Sequence, residues 1–479
     1  MVYRKLACGH DASAASHVHS LLSRRYKTWL VLVLLLVSTL NFSDRAILAV
    51  LAQPIKEDLK LSDADLGMLQ GLGFAILYSV LGVPLGWLAE RFNRKNLIAA
   101  CVAVWSLMSV ACGFAGRFAT LLLGRVGVGI GEAGFQPSVS SLLADHFTAH
   151  RRASVFAIVT LGSPVGFLVG QSVGGWFAAH FSWRAAFFAL GVPGLISALL
   201  VFVTVREPPR GLAEGHLGSA QAPPLRAAIQ ELWSKRTFRH LLVAFTVSGF
   251  AFNAMAQFVL TFYLRAFVVP LAVAGVVFGA VSFSSNGLGM LLGAWGFDGL
   301  SRRDPRWSAW GPAGALALAA PLYLAAFTSM QTWRFLGLIW LGNFVLISFF
   351  AQSVATAQNL VGPRMRALTS ALLFMIAGLI GAGLGPTALG VVSDLFGSRA
   401  FGAADFIVSC PGGRAASAAQ HVLDVACRAA SAQGLRDALI CMQIFYVWAA
   451  IHYLLAARTL KQDLYAPEAR PELSVSPSN

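Results

Sequence analysis

Apolar residues along this chain gather into twelve long runs of about 20 residues, the length a helix needs to cross the hydrocarbon core of a bilayer. The runs lie at about 29–51, 66–89, 97–115 and 118–144, then after Arg151-Arg152, then at about 185–205, 241–263, 272–296, 311–327, 335–357, 368–392 and 435–457. Short charged segments separate them, and the first run is expected to stop before Pro54.

The pattern changes once. Residues 206–239 are rich in Pro, Ala and charge, which predicts a linker with one amphipathic surface helix at 225–233. The linker divides the runs six and six. The expected fold is therefore an all-α membrane protein, with twelve transmembrane helices in two six-helix bundles. Its expected parts are an N-terminal tail (1–25), a first bundle (26–205), the linker (206–239), a second bundle (240–460) carrying an extracytoplasmic loop (396–434), and a polar tail (461–479). The N-terminal tail lacks the apolar core of a cleavable signal, so the first run is expected to serve as the targeting element.

Composition excludes an ordinary soluble protein: 57% of residues are hydrophobic and 12% charged. The net charge of +15 does not mark a nucleic-acid binder, because the cations sit in loops between runs. Of 36 Lys and Arg residues, 24 fall on the side of the N-terminus, 10 on the other side and 2 inside runs. This positive-inside bias places both termini in the cytoplasm of a cell whose inner (plasma) membrane the chain spans repeatedly.

The two intramembrane cations have acidic company. Asp44 and Arg45 lie inside the first run, and Arg125 and Glu132 inside the fourth. A charge at the bilayer centre costs about 2.5–3.5 kcal/mol on insertion scales, so such residues face the protein interior and mark substrate or proton paths. Helix rise puts Asp44 about 6 Å and Arg125 about 9 Å to the outer side of the midplane, with Glu132 near it. Arg125 and Glu132, seven residues apart, share one helix face, and Gly127, Gly129 and Gly131 between them permit close helix contact. The cluster is electrically balanced, and removing one member leaves a buried charge unpaired. No His falls in the middle of a run, so Glu132 and Asp44 are the candidate proton carriers, Glu132 first. Ionised, Glu132 is expected to pair with Arg125; protonated, it would free Arg125 for an anionic head group. The plainer reading is an ion pair that only fixes helix packing.

The two halves echo one another. Glu90-x-x-x-Arg94-Lys95 after the second run matches Asp298-x-x-x-Arg302-Arg303 after the eighth, and Arg152-Ala153 matches Arg366-Ala367. Matching places in two six-span blocks signal a parallel repeat, with a site between the halves near the midplane. The fifth run spaces Gly162, Gly166, Gly170, Gly174 and Gly175 for a close helix contact. Cys410 and Cys427 share the extracytoplasmic loop, where oxidising conditions permit a bridge; the sequence leaves open whether one forms. The second half offers Phe250, Phe252, Phe258, Phe262, Phe344 and Phe374 with Asn253, Gln257, Asn286 and Asn343, a wall suited to an amphiphile or, for many of the rings, simply to lipid.

Gly86-x-Leu88-x-Glu90-Arg91-x-Asn93-Arg94-Lys95 resembles the signature between spans two and three of the major facilitator superfamily, with Glu for the usual Asp and Asn for the usual Gly. The glycine run of span five resembles that superfamily's antiporter motif, with Gln171 where Pro is usual. Within it, Asn41-Phe42-x-Asp44-Arg45 together with Arg125-x-x-x-Gly129-x-Gly131-Glu132-Ala133 resembles the Spinster branch. That resemblance implies a sphingolipid, sphingosine-phosphate or lysophospholipid substrate, a proton gradient as driving force, and Asp44, Arg45, Arg125 and Glu132 as the substrate-and-proton cluster. The first motif, Gly86, Glu90, Arg91, Arg94 and Lys95, with Asp298, Arg302 and Arg303, would serve gating.

The expected function is proton-coupled transport of a lipid-like amphiphile by alternating access, by a monomer needing no cofactor and no metal. A multidrug, sugar or organic-anion carrier is the alternative, and a membrane receptor or scaffold the alternative of another class. An enzyme is not expected, because the spans hold neither a metal cluster nor a Ser/His/Asp grouping.

Overall fold

The computed structural model describes residues 23–210, 225–362, 365–402, 406–417 and 420–465. Among them, twelve helices are long and apolar enough to cross a membrane. They are α1 (Arg24–Leu59), α2 (Asp63–Gly82), α3 (Arg94–Gly113), α4 (Phe118–His146), α5 (Ser154–His180), α6 (Trp183–Thr204), α7 (Arg236–Phe267), α8 (Leu271–Arg303), α9 (Trp307–Phe327), α10 (Thr332–Asn359), α11 (Leu368–Phe401) and α12 (His421–Asp463). A short helix at Leu225–Ser234 precedes α7, where the amphipathic segment is expected.

Several boundaries differ from expectation, α8 and α11 running on to Arg303 and Phe401 among them. α1 runs straight through Pro54 to Leu59, with Ile55 and Lys56 buried in contacts, and stops only where Lys60 turns left-handed (φ 54°). α12 begins at His421, well before residue 435, so the expected long loop is partly helix. The remaining loop is closed by a disulfide, Cys410–Cys427, with 5.5 Å between Cα atoms.

The halves meet along two seams. In the first, α8 lies on α5: a Cβ at Gly275 would stand 2.4 Å from the Gln171 carbonyl, and Gly175 faces Leu271 and Gly275; within the first half, α5 lies on α1 through Gly162, Gly166, Gly170 and Gly174. In the second seam, α2 and α11 cross backbone to backbone. α2 breaks at Gly71 into Asp63–Gln70 and Leu72–Arg91, the second segment continuing as helix beyond the apolar span that ends at Gly82. Facing the break, α11 widens into a π-helical turn at Gly378–Leu384, and a Cβ at Gly71 would stand 2.3 Å from the Gly383 carbonyl. π turns concentrate where helices bend or work.

One apolar core runs from Ile47, Leu51 and Trp183 of the first half into Phe258, Tyr263 and Leu316 of the second, and a smaller one around Trp105 and Phe135 lies in the first half. Phe262, Tyr263, Phe327 and Phe335 pack together in the second half, Tyr263 stacked on Phe335 and Phe262 edge-on to Phe327, and Phe258 is fully buried there. Phe258 and Phe262 thus belong to the core and not to a substrate-facing wall, while Phe374 and Phe350 stay accessible.

Candidate functional site

Consecutive residues on a helix point about 100° apart, so Asp44 and Arg45 cannot both face one partner. Asp44 turns toward α3 and α4, where it accepts hydrogen bonds from Arg125 Nη1 at 2.9 Å and from the Ser109 hydroxyl. Arg45 turns toward α2 and the next turns of α4, where its Nε donates to Glu132 Oε2 at 2.6 Å. The expected cluster therefore assembles, but with different pairing: Glu132 is held by Arg45, not by Arg125. Two helical turns separate Arg125 from Glu132, and Asp44 and Arg45 reach them from two different faces of α1.

Three of the four side chains are sealed: exposure is 5% for Asp44, 2% for Arg125 and 0% for Glu132, against 24% for Arg45. Arg45 is the member that solvent or a ligand reaches. Arg125 Nε and Glu132 Oε1 have no hydrogen-bond partner, and the amide of buried Asn41 is also unpartnered at Nδ2. Orphaned buried polar atoms cost free energy, so a site that retains them has use for spare bonding capacity.

α2 supplies the fourth wall. A Cβ at Gly129 would stand 2.5 Å from the Phe74 carbonyl, so glycine at this position lets α4 lie directly on α2. The Phe74 ring then sits 4.8 Å from the Arg45 guanidinium and 5.7 Å from that of Arg125.

A second ionic network lies at the end of the bundle remote from the N-terminus, and sequence reasoning missed it. Asp63, at the start of α2, receives Lys56 at 2.6 Å, both terminal nitrogens of Arg265 at 2.8 and 2.7 Å, and the Ser393 hydroxyl at 2.7 Å. Asp394 of α11 accepts the backbone amides of Asp63 and Ala64 at 3.0 and 2.8 Å, so a carboxylate of the second half caps a helix of the first. Arg265 Nε also donates to Gln53 at 2.7 Å. The disulfide-closed loop lies over this network: Gly412, at φ 72°, sits against the Lys56 carbonyl where a Cβ would not fit. Arg414 ties Glu57 to Asp424 beside it. Partners 202 and 330–331 residues apart leave no local signal; Ser62-x-x-Asp65, a capping box, was the one readable sign of a helix start here.

At the near end, the signature residues bind within one half. Arg94, almost fully buried, bonds Asp145, Glu207 Oε1 (2.7 Å), and the Ser141 and Pro208 carbonyls. Glu207 Oε2 also caps α3 at the Lys95 amide (3.0 Å), and Lys95 Nζ reaches the Phe202 carbonyl (2.9 Å). Arg91 stacks on Trp87 at 4.0 Å, and Gly86 packs near Pro137. In the second half, Arg302 and Arg303 are exposed. Beyond α8, Asp304 pairs with Lys461 at 3.1 Å; the Arg306 backbone amide, helped by Lys461, holds its carboxyl below the usual carboxylate range. The side chains of Glu90 and Asp298 lie outside the described residues. Asn253 and Asn343 are engaged internally, by the Gly249 carbonyl and the Tyr323 hydroxyl.

The sequence model of the Major Facilitator Superfamily matches residues 34–410. The chain belongs to the major facilitator superfamily. Among solved structures, it is similar to a bacterial homolog of the human lysosomal transporter Spinster in an inward-facing, unoccupied conformation: 32% identity, TM-score 0.83, 93% of this chain and 100% of that one. It is 32% identical over 372 residues to an MFS-type efflux pump of Mycolicibacterium smegmatis, covering 76% of this chain and 83% of the relative. It is 27% identical over 379 residues to the sphingosine-1-phosphate transporter SPNS2 of Xenopus tropicalis, covering 75% and 72%. This superfamily member is therefore a multi-pass, Spinster-like membrane transporter and not an enzyme.

Proposed function

We propose that this chain carries a lipid-like amphiphile with an anionic head, coupled to protons, by alternating access across the inner membrane, with both termini in the cytoplasm. The observation that carries this reading is the Arg45–Glu132 pair, one partner accessible and the other sealed with an oxygen to spare.

An oxyanion approaching Arg45 competes with Glu132 for the guanidinium, which favours two-point binding of phosphate or carboxylate. Displaced, Glu132 becomes a lone buried charge, several kcal/mol unfavourable, and a proton relieves it. Head group and proton then load together. Asp44 and Arg125 behind this pair form the second exchangeable pair, with Ser109 steadying the carboxylate while Arg125 is engaged elsewhere.

The ion network at Lys56, Asp63, Arg265 and Asp394 keeps the extracytoplasmic end shut, so the described state opens toward the cytoplasm. Arg94 with its carboxylates keeps the first half rigid as the halves rock, and Gly86, Glu90, Arg91, Lys95, Asp298, Arg302 and Arg303 gate the cytoplasmic side. Likeness to an inward-facing Spinster homolog supports the open side, and likeness to a sphingosine-1-phosphate transporter supports the substrate class.

The test is uptake of a fluorescent lysophospholipid into proteoliposomes with and without a pH gradient. Wild-type uptake should follow the gradient and the Glu132→Gln protein should not; gradient-driven uptake by that variant would remove the proton role of Glu132. The similarity to an efflux pump favours a second reading, drug export. Competition of the lipid by a drug panel, but not by lysolipids, would select it.

A further inference from the structure

The Arg45 guanidinium stands among three rings: Phe42 at 5.4 Å, Phe74 at 4.8 Å and Tyr78 at 4.7 Å. Phe74 and Tyr78 stack on each other at 5.1 Å, and Phe42 leans on Phe167 at 6.4 Å. Arg45 reaches Glu132 through its Nε, which leaves the faces of its guanidinium to the rings. A Lys or Arg side chain released from its counter-ion ordinarily regains rotamer freedom, and binding must order it again. Here the ring faces, negative at their centres, hold a flat cation in place without a counter-charge. Phe74 also faces Arg125, so one ring serves both cations and is itself fixed by the α4 contact at Gly129.

We infer that Phe74 and Tyr78 of α2 are positioning residues that keep Arg45 presented to the anionic head group once Glu132 has let go. The inference rests on Arg45 being the head-group receptor. The rings set the anion preference of the site through affinity, and leave the rocking of the halves alone. Tyr78 offers Arg45 its ring and also a hydroxyl that accepts a side-chain hydrogen bond, so Tyr78→Phe, which keeps the ring, should weaken binding less than Tyr78→Leu.

The test uses the full chain in proteoliposomes, with fluorescent lysophosphatidate as probe and the matching uncharged monoacylglycerol as control. Phe74→Leu should raise KM and Kd for lysophosphatidate about tenfold, with kcat within about twofold. Binding of the uncharged control should not change. In an Arg45→Lys background, which keeps the charge but loses the flat guanidinium, adding Phe74→Leu should weaken binding less than about threefold. Thermal melting in detergent within a few degrees of wild type shows that the fold is intact. An unchanged Kd in Phe74→Leu, or a full tenfold loss added on top of Arg45→Lys, would overturn the inference. If Arg45→Lys itself binds lysophosphatidate as wild type does, the head-group assignment fails instead.

Discussion

Asp63 and Arg265, 202 residues apart in sequence, meet in a two-point ion pair that joins the first half of the bundle to the second. Lys56 shares the same carboxylate, and Asp394 answers from α11 with the α2 amides. Two cations and two anions make a neutral, buried knot that must untie before this end can open. Ion pairs with good geometry and further hydrogen bonds hold well, but lose heavily when one partner goes.

Removing one member should therefore destabilise the closed end. Asp63→Asn leaves Lys56 and Arg265 buried without their carboxylate, a change of about 3 kcal/mol or more. A cysteine placed at Thr387, which bonds the Gly67 carbonyl inside the α2–α11 seam, reports the opening. Labelling of Thr387→Cys by an impermeant maleimide added from outside should rise several-fold in the Asp63→Asn background. Unchanged labelling would mean that the network does not shut this end.

Gly129 and Gly82 form a controlled pair. A methyl at Gly129 meets the Phe74 carbonyl at 2.5 Å, whereas one at Gly82 meets nothing within 4 Å. Gly129→Ala should cost about 1–3 kcal/mol by forcing α4 off α2, and should weaken lysophosphatidate binding with it. Gly82→Ala, inside a helix, should be neutral or stabilising by up to about 1 kcal/mol. Thermal unfolding in detergent separates the two.

Ser109→Ala removes one donor from the Asp44 carboxylate and leaves Arg125 as the remaining partner. An unmet buried acceptor costs about 1–3 kcal/mol. Asp44 should then hold Arg125 more tightly and respond less readily to substrate. Transport of lysophosphatidate should slow about fivefold or more, with the uncharged control unaffected.

Much of this architecture was readable in one dimension. Hydropathy is a local property, so the twelve helices and the six-and-six division follow from runs alone. Charges inside apolar runs are rare enough that Asp44, Arg45, Arg125 and Glu132 stood out, and they do converge. Their pairing was not readable, because it depends on how each helix is rotated about its axis and on Gly129 admitting Phe74. The network at Asp63 was invisible for a different reason: Lys56, Asp63, Arg265 and Asp394 sit at helix ends, where isolated charges are ordinary. α1 passed through Pro54 because burial of Ile55 and Lys56 outweighed a local breaker. Phe258 and Phe262 were misplaced since an aromatic stripe reads the same whether it faces a core or a cavity.

The central claim is that an anionic head and a proton enter the site together, and purified protein in weakly buffered detergent with a pH-sensitive dye tests it most directly. Saturating wild-type protein with lysophosphatidate near neutral pH should draw in roughly one proton per lipid bound, and none in the Glu132→Gln variant. Release of protons on binding, or uptake that persists undiminished in Glu132→Gln, would contradict the account.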